Sequence, residues 1–102
     1  MQKLFVILSC AVMLGMFAPQ VQANAVEAAC RQTDRSSATA SMCRCVGQVA
    51  SQKLTRSDQR RVAKWFSDPH QAQVTRQSDR RRDEQLWARY KAFGEAAARA
   101  CG

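Results

Sequence analysis

The chain has 102 residues, 46% of them hydrophobic and 24% charged, with a formal net charge of +8. That length allows one small domain and excludes a multidomain enzyme or a large buried core. The basic balance points toward anionic partners and excludes an acidic, solvating tail.

Met1 to Ala23 reads as a secretory signal peptide. Lys3 supplies the positive start, Leu4 to Ala18 form an apolar run, and Pro19-Gln20 end it. Val21-Gln22-Ala23 fits the small-residue cleavage rule, with Ala23-Asn24-Ala25 as a second option. The run is about 15 residues, shorter than the roughly 20 that a membrane-spanning helix needs. Cys10 lies inside it and leaves with the signal. A periplasmic or secreted protein is expected.

The mature part, residues 24–102, keeps fifteen Lys/Arg against eight Asp/Glu, a formal charge of +7. It has thirteen large apolar residues and no Ile. So thin a core seldom folds at this size without cross-links. Cys30, Cys43, Cys45 and Cys101 supply them, because an even count in an exported chain favours disulfides.

Asn24 to Gln32 is a short Ala-rich helix candidate, and residues 33–37 read as a turn. From Ala38 onward, Met42, Cys45, Val46 and Val49 recur at helical spacing. Gly47 weakens that helix without forbidding it. On a helix, Cys43 and Cys45 lie about 200° apart, so they bond to different partners. A hairpin about Ser36-Ser37 favours Cys30–Cys43 with Cys45–Cys101. The pairing Cys30–Cys45 with Cys43–Cys101 stays open.

Thr55, with Asp58 three residues on, starts a helix whose apolar side is Val62, Trp65 and Phe66. Ser67-Asp68-Pro69 stops it, and Asp68-Pro69 can open the next, a short polar helix with Ala72 and Val74. Ser78 or Asp79 caps the last helix, where Leu86, Tyr90, Phe93, Ala97 and Cys101 form the clearest amphipathic stripe and Trp87 flanks it. No segment alternates with period two. The expected fold is all-α: a small disulfide-stapled bundle of four to five short helices, one domain over residues 24–102.

Few chemistries fit. Cys43-Arg44-Cys45 suits a thiol-redox accessory, but a redox pair is usually presented at a helix N-terminus within a βαβ setting. A soft-metal site on Met42, Cys43 and Cys45 needs reduced thiols and a non-helical backbone. His70, the single histidine, follows Pro69 with no second ligand nearby and reads as a surface residue. Nothing points to a catalytic, cofactor or metal site, and a non-enzyme is expected. Trp65, Phe66, Trp87, Tyr90 and Phe93 read as core.

The basic residues remain. Arg56, Arg60, Arg61 and Lys64 share one helix, and Arg80, Arg81 and Arg82 open the last, where Arg80 and Glu84 stand at pairing distance. These seven are the candidate contacts to an acidic protein or an anionic envelope surface. Nucleic acid fits less well, because the aromatics do not interleave with the arginines. A periplasmic stress or acid-response chaperone is a second reading.

Leu54-Thr55, Trp65-Phe66-Ser67-Asp68-Pro69, Arg76-Gln77-Ser78-Asp79, Leu86-Trp87-Ala88-Arg89-Tyr90-Lys91-Ala92-Phe93 and the near-terminal Cys101 resemble a group of small exported proteins of alpha-proteobacteria. Some of these carry the label "arginine transporter". The resemblance covers most of the mature chain and implies a small exported helical protein, with no site residues to carry over. No segment after the signal is long and apolar enough to span a membrane.

Overall fold

Asn24 opens the folded domain by capping two things at once. Its side-chain oxygen accepts from the Glu27 amide at 2.9 Å and so starts helix α1, Ala25–Arg31. Its amide nitrogen donates to the Gly47 carbonyl at 2.6 Å and to the Ser51 hydroxyl at 2.9 Å on the next helix. The computed structural model describes residues 23–102 together with Gly15. Cys10, and all of the proposed signal peptide except Gly15 and Ala23, lie outside the described residues.

The next helix, α2, is Ala40–Lys53, capped by Thr39, whose hydroxyl accepts from the Met42 amide at 3.1 Å. Leu54 and Thr55 then break the chain. Helix α3, Arg56–Ser67, begins with a complete capping box: Thr55 accepts from the Asp58 amide while Asp58 accepts from the Thr55 amide. Asp68 ends α3 and precedes α4, Pro69–Arg76, whose first residue is the expected proline. Last comes α5, Arg81–Cys101, of 21 residues. All five elements are α-helices, and no strand occurs among the described residues.

Two disulfides join them, Cys30–Cys43 from α1 to α2 and Cys45–Cys101 from α2 to the end of α5. This is the pairing that the hairpin symmetry favours. It follows from the helix itself: Cys43 and Cys45 leave opposite sides of α2, one toward α1 and the other toward α5. Their Cα separations, 5.5 and 5.8 Å, sit in the ordinary disulfide range.

The α2 stripe is turned from the expected one. Cys43, Gly47, Val49 and Ala50 are buried, while Met42, Cys45 and Val46 are only partly so. The small residues matter because α1 lies against them. A Cβ at Gly47 would stand 2.7 Å from the Glu27 Cβ, so glycine is what lets α1 close onto α2. Glu27 is itself buried there, and Arg31 donates to its carboxylate at 2.7 Å.

Val26, Val49, Ala50, Leu54, Val62, Trp65, Leu86 and Phe93 form the core. Of the five aromatics expected inside, Trp65 and Phe93 are buried, while Phe66, Trp87 and Tyr90 are partly buried against that core. Trp65 meets Tyr90 edge-on, with ring centres 4.9 Å apart, and Trp87 lies 5.2 Å from Tyr90. Val74 is the exception among the large apolar groups, 50% exposed on the short polar α4.

A basic face joined across α3 and α5

The spacing of α3 sorts its charges before any tertiary contact does. Arg56, Arg60 and Lys64 are four residues apart, so they fall on one slanted row rising about 12 Å along the helix. All three are exposed. Asp58, the one acid of α3, lies on the opposite side, buried with Gln59, Val62 and Trp65. The outward face of α3 therefore carries cations and no carboxylate.

Arg61 departs from this row. Its guanidinium turns to α5 and donates to the Asp83 carboxylate at 3.1 Å, with the Thr75 hydroxyl of α4 at 3.5 Å. The other oxygen of Asp83 accepts from the Ser78 hydroxyl at 2.7 Å. The Ser78 hydrogen bond, aided by Arg61, holds the Asp83 carboxyl below its ordinary range. Ser78 also accepts from the Arg80 amide at 3.2 Å.

This arrangement resets the start of the last helix. Neither Ser78 nor Asp79 is its N-cap; Arg80 is, with no side-chain cap bond. Ser78 instead organises the approach from outside the helix, because its hydroxyl is bound to Asp83. The expected Arg80–Glu84 pair does not form among the described residues. Arg80 is the N-cap, with extended backbone angles, φ −73° and ψ 129°; its carbonyl accepts from the Glu84 amide at 3.0 Å, and the two side chains do not pair. Arg81 and Arg82 begin the helix, where cations oppose its dipole. Asp83 and Glu84 in the same turn offset that cost.

A second ion pair runs between the same two helices in the other direction. Arg89 on α5 grips Asp58 on α3 with both ends of its fork, Nε to Oδ2 at 2.7 Å and Nη2 to Oδ1 at 3.1 Å. Asp58 thus serves both the capping box and the helix joint. The Arg89 hydrogen bonds, against some opposition from burial, hold the Asp58 carboxyl below its usual range and raise the Arg89 guanidinium above its own.

Asp58→Asn is expected to lower the stability at neutral pH by about 1–2 kcal/mol, losing the charged cap and the charge-assisted joint. A carboxylate held below its ordinary value of 3.8 stabilises the fold fully above that pH, and the contribution is lost as the pH falls through the lower folded-state value. The variant should therefore have a shallower loss of stability on acidification. Urea midpoints measured down through this range would reveal it, and parallel curves for variant and parent would refute it.

Together the two pairs bring the basic clusters side by side. Ser57, Asp58, Arg61, Arg82, Leu86 and Arg89 line one cleft of about 340 Å³ between α3 and the start of α5. Of the seven expected contacts, Arg56, Arg60, Lys64, Arg80, Arg81 and Arg82 are exposed, and Arg61 is partly buried in its ion pair. Ser57 and Arg89 were not among them. Nothing local marks either residue: Arg89 finds Asp58 across 31 residues of sequence.

His70 is exposed on α4, and no group of three or more His, Cys, Asp or Glu is placed to hold a metal ion among the described residues. Cys30 and Cys43 are buried, and Cys45 and Cys101 are partly so. No described helix is long and apolar enough to cross a membrane. Comparison with protein-family models, curated proteins and solved structures finds no match.

Proposed function

We propose that this chain is an exported, non-catalytic binding protein whose basic face docks on an anionic envelope surface. The observation that carries this reading is the acid-free row of Arg56, Arg60 and Lys64, extended sideways by Arg80, Arg81 and Arg82 through the Arg61–Asp83 joint. Rows of exposed cations gain about 1 kcal/mol each near an anionic membrane and need no buried contact to do so. The two disulfides support the exported location, since cross-linked cysteines persist in oxidising compartments. They also support a structural role for Cys30 and Cys43, because that bond is shielded from an attacking thiolate.

Co-sedimentation with vesicles tests the proposal. The oxidised mature protein should bind vesicles of mixed phosphatidylcholine and phosphatidylglycerol and ignore pure phosphatidylcholine. Binding should fade as salt approaches about 0.5 M, where charges are screened within a few ångströms. Replacing Arg56, Arg60 and Lys64 with Gln should weaken it about a hundredfold, three cations' worth. Equal binding to both vesicle types, or a triple variant that binds as well as the parent, would overturn the reading.

A further inference from the structure

We propose that the groove over Phe66 is a binding site for a small amphipathic carboxylate, an apolar body ending in a single carboxyl group, with Arg35 as its ionic partner. Two recesses meet at the Phe66 ring. One, of about 510 Å³, lies between the loop after α1 and the C-terminal half of α3, and contains Asp34, Arg35, Ala63 and Phe66 in its wall. The other, of about 270 Å³, lies among α3, α4 and α5, where Val62, Trp65, Phe66, Pro69, Ala72 and Tyr90 supply the apolar part of the lining. Arg35 borders both, and Gln73 completes the second.

The charge pattern selects the ligand. Arg35 is the only charged residue in the wall of the second recess. It is exposed, and it takes part in none of the three ion pairs among the described residues. Asp34 borders the first recess alone, so an anion is repelled there and favoured at the Arg35 boundary. A ligand carboxylate at Arg35 then directs its body away from Asp34, into the aromatic side. Guanidinium and carboxylate match as a two-pronged, charge-assisted pair.

The size and stiffness of the recess narrow the class further. Its volume falls just under the range usual for drug-sized ligands, which suits one aromatic ring or a short alkyl chain. Trp65 is only 7% exposed and is locked edge-on against Tyr90, so that wall is already formed before anything binds. This site is separate from the basic face: none of its lining residues belongs to the Arg56–Arg60–Lys64 row.

Phenylbutyrate, with phenylbutyramide as its uncharged twin, is a suitable pair of probes for the oxidised mature protein. Tryptophan emission should change on adding the acid, because Trp65 forms part of the wall, and amide NMR shifts should centre on Arg35, Phe66 and Gln73. The amide probe should bind at least about tenfold more weakly, and Arg35→Gln should lose the same factor for the acid while treating the two probes alike. Lys91→Ala, an exposed change away from the groove, should bind as the parent does. Equal affinity for acid and amide, an unaffected Arg35→Gln, shifts centred on the Arg56–Arg60 row, or no binding at all would each overturn the proposal.

Discussion

Full reduction of Cys30–Cys43 and Cys45–Cys101 should remove most of the helical circular dichroism at neutral pH. The bonds close loops with sequence separations of 13 and 56. On the chain-entropy model these are worth about 3 and about 4 kcal/mol. Small domains hold a net stability of only about 5–15 kcal/mol, and one with eight core residues belongs at the low end. The cross-links therefore contribute as much as the whole margin. Removing Cys45 and Cys101 together should cost more than removing Cys30 and Cys43, because the longer loop restricts the unfolded chain more. Spectra recorded before and after dithiothreitol decide the matter. A reduced protein that kept its helicity and a cooperative thermal transition would show that the apolar core suffices alone.

Trp65→Ala should destabilise the oxidised protein by about 3–5 kcal/mol, the usual cost of deleting a large buried aromatic. Trp65 is buried in the core and touches both Trp87 and Tyr90 of α5. The effect should be uneven. Disulfides secure α1 to α2 and α2 to α5, but neither cystine has an end in α3 or α4. α3 packs on α1 and α4 on α5, and Trp65 with its ring neighbours, flanked by the Arg61–Asp83 and Asp58–Arg89 pairs, joins α3 to α5. Hydrogen exchange in the variant should therefore rise first along residues 56–76 and least around the cystines of α2. A loss below about 1 kcal/mol would mean that Trp65 is not a core residue.

The parts of this fold that were legible in the sequence are those fixed by short-range chemistry. Thr55 with Asp58 announces a helix start because both groups of the capping box lie within one turn. Pro69 marks the α3–α4 break because it fits a first helical position and no interior one. The cysteine pairing could be narrowed because two residues on a helix point apart whatever surrounds them. Where long-range packing competes, local reading fails. The inner face of α2 departs from its stripe of large apolar residues because α1 approaches through Gly47, whose value is its smallness. Helix α5 starts beyond Ser78, a good cap in isolation, because the Ser78 hydroxyl serves Asp83.

The candidate site divides along the same line. The row Arg56, Arg60 and Lys64 is a matter of helical period and could be read directly. That Arg61 pairs with Asp83, that Arg89 anchors Asp58, and that Arg35 borders an aromatic recess all depend on which elements become neighbours. No spacing rule encodes this.

The two cystines also give the backbone an unusual connectivity. Cys30–Cys43 and Cys45–Cys101 close two loops that meet at a single residue, Arg44. Between Cys30 and Cys101, a lone peptide-bond cleavage inside either loop detaches nothing, because both new ends stay linked through sulfur. Only scission of one of the two bonds flanking Arg44 would divide the molecule in two. That residue sits in the fifth position of α2, where helical hydrogen bonding shelters it from proteases. A nicked copy would therefore persist in one piece.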